Sequence, residues 1–546
     1  MSLQSSIPPL ALPPASSPRD LLAIEALRLI PKILTLQDRN RHSPTYGCFD
    51  RNFWQYKIID FPSGMSQEFV YPLALAGACD LEGNPYRGQE ALREWAEAGM
   101  VFAARSAHAD ASCDDYFPFE KAGGAAAFSL LACAEAYKIL GIQNYEVLRF
   151  FERRADWLAH HNESGQLTNH QALIVVCLDR VGELLGSSKW ESARAERLER
   201  VLSWQNEEGW FQEYQGCDPG YHTLTVSLLA QVYEKTPSPQ LRDALSRAVA
   251  LAAEFVHPDG SYGGEYASRN TYNFFPHGFE VFGRHEPSAL AVNDRFLAGL
   301  AAGRNACHAD DHIVGHHTWN YLLAWRDYAP ARPEPAPRPQ GRVHLPNAGL
   351  LVERRGDSEL YVALNKGGVF KFFRNGALVA SDTQVSLVVE EGRRRRNAVG
   401  HLIGDYPHEI EADRIVIRGD LCWAKQKEMT PLRLIALRLI MLCGGRLFPD
   451  LIRKLLQKAL ITGRKAAPFR FEREFAWTDA GLTIRDRVEG EGWKNVRQAG
   501  IGCDQTSIYV VMSRTFQSGQ LMPWIDLGPA VSRLQHGEAL EHSRTL

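Results

Sequence analysis

The chain has 546 residues, 45% of them apolar and 23% charged, with a formal net charge of −3. That length predicts more than one globular unit, each able to bury its own core, and the near-neutral charge gives no electrostatic footprint for a nucleic-acid partner. Ten cysteines are scattered without a Cys-x-x-Cys pair, which argues against a zinc ribbon or a disulfide scaffold.

The N-terminus, Met1-Ser2-Leu3-Gln4-Ser5-Ser6, has neither the basic start nor the apolar core of a secretory signal. The expectation is a reduced, cytoplasmic protein. Residues 1–20 are rich in Pro and Ser and are expected to be mobile. From 21 to 328 apolar residues recur at three- and four-residue spacing, predicting helices over Leu21–Ile30, Ala91–Ala104, Ala122–Leu140, Gln171–Leu185, Tyr221–Tyr233 and Gln240–Phe255. The Ala122–Leu140 stretch has little polar face, so an inner layer of buried helices is expected. Three loops repeat one punctuation: Asn162-Glu163-Ser164-Gly165, Asn206-Glu207-Glu208-Gly209 and His257-Pro258-Asp259-Gly260. Their glycines are 44 and 51 residues apart, a period that suits a helix–loop–helix unit. Repeated hairpins would gather the three loops on one end of a ring.

Residues 329–340 form a proline-rich linker that cannot continue a helix. Beyond it the period becomes two, predicting strands over Gly349–Arg354, Glu359–Leu364, Val385–Val389, Arg414–Arg418, Phe469–Phe475 and Leu482–Val488. Residues 341–546 therefore read as an antiparallel β-sandwich. A segment at 431–467 interrupts it, with eight basic residues (among them Arg433, Arg438, Arg453 and Lys454) against Asp450 alone. Its apolar runs are too short to span a bilayer. Two readings stand: a basic amphipathic hairpin on an anionic membrane surface, or a helical insertion packed on the sandwich. The run Arg393–Arg396 reads as a solvated turn.

Three clusters follow the three loops. Asn169-His170 offers amide donors and an imidazole that accepts a proton or, protonated, stabilises an enolate-like charge; the alternative is an Asn helix cap. In the second cluster Pro219-Gly220 would fix a turn that leaves Tyr221 and His222 on the first turn of a helix, with Glu213 just upstream; the alternative is a packed tyrosine. The third, Tyr262 to Tyr272 followed by Pro276-His277-Gly278, contains Arg269, suited to gripping a carboxylate with two prongs; the alternative is an Arg paired to a nearby acid. Asp110, Asp114, Asp115 and Glu120 could pair carboxylates for glycoside hydrolysis, or simply start a helix. His308, Asp310, Asp311, His312, His316 and His317 lack a diagnostic metal-ligand spacing and read as a solvated loop.

Helical hairpins before a sandwich, with an Asn-His pair followed one repeat later by a Gly-Tyr-His turn, resemble the heparinase II/III and alginate lyase group of polysaccharide lyases. The resemblance implies an α+β multidomain fold: an incomplete (α/α) toroid over 21–328 joined to the sandwich. It implies that Asn169 and His170 hold a uronate carboxylate while Tyr221 donates or takes a proton, with His222 or Arg269 supplying positive charge beside it. Arg269, Tyr272, His277, Glu213 and Trp210 would then bind substrate, an acidic polysaccharide or oligosaccharide, with no metal or cofactor. One departure is visible. The sandwich of such lyases brings a His-rich stretch and an Asp toward the cleft, whereas here Asn375–Val385 retains Asp382 and lacks the histidines, leaving His401 or His408 to reach in. Three functions remain open: β-elimination on an acidic glycan; hydrolysis through carboxylates such as Asp115 and Glu265; and glycan binding without turnover in cytoplasmic polysaccharide biosynthesis at the inner membrane face.

Overall fold

The structure is a computed structural model describing residues 11–546, except 164, 214–215, 308–309, 425–427, 446, 449–450, 453–463, 504 and 509–514. Ser164, His308, Arg453, Lys454 and Asp450, invoked above, thus lie outside the described residues. The chain folds into a helical toroid followed by two antiparallel sheets.

The first helix, α1 (Pro18–Leu27), starts inside the segment expected to be mobile, capped by Ser17 and with Pro18 at its first position. A break at Arg28–Leu29 separates it from α2 (Ile30–Leu36), and α3 (Arg51–Trp54) is a single turn. Thereafter buried and half-exposed helices alternate. The inner ones are α4 (Val70–Ala78), α6 (Gly123–Ile139), α8 (Thr168–Leu185), α10 (Pro219–Lys235), α12 (His277–Phe282) and α14 (Val314–Arg326). They pack neighbour to neighbour, and α14 returns to α4. The outer ones are α5 (Glu90–Ser106), α7 (Tyr145–His160), α9 (Glu191–Ser203), α11 (Pro239–Phe255) and α13 (Pro287–Ala301). The two classes differ in sequence as their burial requires. In α6 nearly every residue from Gly123 to Ala134 is buried, so Ala, Leu and Phe surround the helix. In α7 only a stripe is buried, Val147, Phe150, Phe151, Arg154, Ala155 and Leu158, at helical spacing. The inner ring is thinnest at α12, six residues long, where residues 256–276 form a long loop instead.

The three punctuated loops lie where an outer helix hands over to an inner one. Gly165, Gly209 and Gly260 all have left-handed φ, from 78° to 97°, a backbone state glycine enters without steric cost. Gly209 N–H donates to Asn206 O and Gly260 N–H to His257 O, at 2.9 and 3.0 Å, closing equivalent turns. The loops form one rim of the toroid.

The first sheet runs β1 (Gly341–Leu345), β2 (Leu350–Arg355), β3 (Ser358–Ala363), β4 (Val369–Arg374) and β5 (Ala377–Asp382) in sequential order. Both its faces are buried, and period two sorts them. Leu351, Leu360, Val362, Phe370 and Phe372 pack against the second sheet, while Leu350, Val352, Tyr361, Ala363 and Phe373 join the toroid core. The second sheet contains β6 (Val385–Glu391), β7 (Arg394–Val399), β8 (His408–Ile410), β9 (Arg414–Trp423), β10 (Ala466–Thr478), β11 (Gly481–Gly490), β12 (Val496–Ile501), β13 (Ile525–Asp526) and β14 (Leu540–Thr545). The arginine run is not a turn: only Arg393 lies in one, and Arg394–Arg396 belong to β7, where Arg396 stacks 3.5 Å above the Trp423 ring. The insertion starts with α15 (Pro431–Ile440), which buries none of its residues, and α16 (Gly528–Leu534) packs on β12. No helix among the described residues is long and apolar enough to cross a membrane.

Candidate active site

The rim brings four of the expected residues into one connected network. Asn169 sits in the first turn of α8 and is not its cap: Leu167 holds that position. Its backbone N–H and its Nδ2 both donate to Glu213 Oε1 at 2.8 Å, so the side chain reaches across to the next repeat. Glu213 Oε2 has no hydrogen-bond partner among the described residues and faces Arg269 Nη2 at 3.8 Å. Arg269 Nε pairs with Asp218 Oδ2, and its guanidinium lies over the Tyr221 ring, 4.6 Å from the centroid. Asp218 is the N-cap of α10, accepting from Tyr221 N–H, and it also accepts from Thr271 Oγ1 at 2.7 Å. One aspartate therefore starts the helix that carries Tyr221 and anchors the loop that carries Arg269.

Electrostatics follow from burial. Asn169, Glu213, Asp218 and Arg269 are all at most 2% exposed. Two carboxylates share one guanidinium, and Asp218 has the closer contact. Burial pushes the Glu213 carboxyl up to about 7, against the pull of Arg269 and of the Asn169 hydrogen bonds. With Oε1 accepting from Asn169, Oε2 is the oxygen open to a proton when the carboxyl is protonated. Two of the expected groups are only half-buried, Tyr221 over the Arg269 guanidinium and His170 on the α6 side of α8. His170 Nδ1 contacts Glu163 Oε2 at 2.6 Å, and its ring lies against Gly124 of α6, where a Cβ would overlap it. Beside Glu163 a groove of about 530 Å³ is lined by Asp110, Arg153, Asp156, Trp157, His160 and His161.

Other expected residues lie elsewhere. His222 turns away from the network toward α11, where it is 1% exposed and its Nε2 meets Ala248 O at 2.8 Å. Burial lowers it to about 4, so it is neutral and supplies no positive charge to Tyr221. His277 turns to Asp327 at the far end of α14, 2.8 Å away. Trp210 packs in the toroid core with its indole N–H on Glu208, whose carboxylate also receives Asn347 N–H and Ala348 N–H. Tyr272 contacts Glu265 and accepts from Gln520 Nε2 at 2.8 Å, placing it at the toroid–sandwich junction. Arg269 takes the acid-paired form of its two readings.

The carboxylates considered for hydrolysis are engaged in structure. Asp114 accepts from the N–H groups of Phe119 and Lys121, Glu120 accepts from those of Asp115, Tyr116 and Phe117, and Asp115 is paired with His312 at 3.1 Å. His316 and His317 are not in a solvated loop: both are buried in α14, His316 on Glu68 at 2.6 Å and His317 stacked on Phe275. No group of metal-ligating side chains occurs among the described residues. Asp382 turns into the sandwich, where Arg473 and Arg544 hold it. The sandwich meets the rim with lysines instead. Lys371 Nζ is 3.0 Å from Glu265 and 5.2 Å from the Tyr272 ring centroid; Lys366 Nζ donates to the carbonyls of Glu265 and Ala267. Burial lowers Lys366 to about 7, with Glu265 opposing.

Sequence reasoning missed Asp218, Glu163 and Lys371. Asp218 before Pro219 carries the signature of a helix start, and Lys371 interrupts the apolar run of β4, so both left signals. Glu163 left none beyond its place in a loop.

No protein-family model matches the chain, and no curated protein matches it in sequence. Solved structures do. The chondroitin AC lyase of Streptomyces coelicolor A3, in complex with chondroitin sulphate, aligns with a TM-score of 0.52 at 12% identity, covering 98% of this chain and 77% of that one. A Paenibacillus xanthan lyase aligns with 0.49 at 10% identity, covering 89% of this chain and 46% of that one, and a heparinase III with 0.46 at 12%, covering 79% and 63%. The chain thus spans just under half the length of the xanthan lyase. At these identities the likeness is one of fold, and the chain resembles the polysaccharide lyases built as a helical toroid joined to an antiparallel β-sandwich.

Proposed function

We propose that the protein is a lyase-like enzyme acting on an acidic, uronate-containing glycan by β-elimination at the rim of its toroid. The observation that carries this reading is the single network that links Asn169, Glu213, Arg269 and Tyr221; His170 follows Asn169 in the first turn of α8. Elimination removes the proton next to a carboxylate and builds an enolate, so the site must offer hydrogen-bond donors and positive charge where that charge develops. His170 and Asn169 face the carboxylate. Burial disfavours charge on Glu213, which lessens the repulsion that a carboxylate ligand would meet there. Tyr221 takes the proton from the carbon and returns one to the departing glycosidic oxygen. The guanidinium stacked on its ring stabilises negative charge there during the transfer. One structural neighbour was solved with chondroitin sulphate bound.

The test is the product. Incubation with uronate polymers should give unsaturated ends that absorb in the ultraviolet. New reducing ends without that absorbance would mean hydrolysis. Binding without turnover has one observation in its favour: Asn169 and Arg269 are hydrogen-bonded within the protein, so substrate must compete with Glu213 and Asp218 for them. Retained glycan with no product of either kind would establish that second reading.

A further inference from the structure

The surface of the insertion does not resemble that of a protein whose apolar side chains are all accounted for. In α15, Leu432 is 79% exposed, and Ile435 and Leu439 on the same side of the helix are more than half exposed. Leu447 and Phe448, just beyond it, are 70% and 62% exposed. Scattered apolar residues on a surface need no explanation, but a contiguous group of large ones marks a contact. The helix is held against the toroid by an ion pair between Arg438 and Asp60, and the guanidinium also lies 5.9 Å from the Phe61 ring centroid. The loop that contains Asp60 itself exposes Tyr56 and Ile58, at 54% and 72%. Both parts of the molecule therefore present apolar side chains on either side of one tether.

Charge identifies the occupant. Among the described residues of 431–467, Arg433, Arg438, Arg464 and Lys465 are basic and none is acidic, within a chain whose overall balance is −3. A second copy of the chain would bring the same basic segment to the contact and repel it. An anionic lipid surface supplies both what the apolar side chains need and the counter-charge: Leu and Phe enter between the headgroups while Lys and Arg meet the phosphates. The helix is ten residues long, far short of a span, so it lies in the interface. We propose that α15, with Leu447, Phe448 and the Tyr56–Ile58 tip, docks the protein on an anionic bilayer. This does not depend on the reaction at the rim.

The experiment is co-sedimentation of the full chain with vesicles of phosphatidylcholine alone and of phosphatidylcholine with phosphatidylglycerol in about equal parts. Binding is expected on the anionic vesicles, at least about tenfold weaker on the neutral ones, and weakened by raising salt to about 0.5 M. The triple variant Leu432→Ser, Leu439→Ser, Phe448→Ser should bind at least about tenfold more weakly, since these side chains carry the insertion. Its thermal melt should be unchanged, because none of the three is buried. The proposal is overturned if the parent chain binds neither vesicle, if it binds both equally, or if the triple variant binds as the parent does. A concentration-dependent dimer in lipid-free solution that the same variant abolishes would assign the face to a second copy instead.

Discussion

Glu213 is the rim carboxyl whose chemistry departs from its type. Its folded value, about 7, lies above the ordinary 4.5 because burial penalises the charged form. Between these values the folded chain keeps a proton that the unfolded chain has lost. Its contribution to stability is thus fully present below about pH 4.5 and is lost as pH rises through 7. Glu213→Gln cannot ionise and escapes this loss. Measured by urea unfolding, the variant should gain on the parent by a few kcal/mol between about pH 5 and pH 8. A stability difference that does not change with pH would mean that Glu213 is charged throughout.

At the scale of the element, Asp218 joins two functions in one side chain: it caps α10 and pairs with Arg269. Asp218→Ala removes the cap, worth about 1 kcal/mol, and leaves a buried guanidinium without its closer partner, worth about 3 kcal/mol more. Asp218→Asn keeps a capping oxygen and loses only the charge, so it should retain the cap's share. A loss near zero in Asp218→Asn, read from chemical denaturation, would remove Arg269 from the account, whereas equal losses in the two variants would remove the cap. Elements were the level at which sequence was most legible. The helices over 91–104 and 240–255 and the strands over 469–475 and 482–488 announce themselves through period, because each buries one stripe or one face. Side-chain direction at the rim was not legible. Tyr221 and His222 are neighbours in sequence, yet successive residues of a helix point about 100° apart, and only the packing of α11 on α10 decides which of them is buried against Ala248. Asn169 looked like a cap because capping is a local rule, whereas its partner Glu213 is 44 residues away. The missing sandwich histidines were visible as an absence; what replaces them, Lys366 and Lys371, became visible only once β4 lay against the 262–273 loop.

At the scale of the whole molecule, the toroid and the sandwich are joined by the first sheet, which buries one face in each, and by polar groups that have no water to fall back on. Lys371 and Glu265 are the clearest pair, at most 2% exposed on both sides of the junction. Lys371→Met should cost about 3–5 kcal/mol by leaving Glu265 buried and unpaired. Adding Glu265→Gln should recover much of that loss; no recovery in a double-mutant cycle would show that the pair does not act as a unit. The junction matters to function because the same loop carries Arg269 to Tyr221. The central claim, that this rim eliminates across a glycosidic bond with Tyr221 moving the proton, is tested most directly by following ultraviolet absorbance during incubation of uronate polymers with the parent chain and with Tyr221→Phe. The account predicts a steady rise with the parent and a loss of at least about a hundredfold in the variant, whose melting temperature stays the same. A variant that produces unsaturated ends as fast as the parent would contradict it.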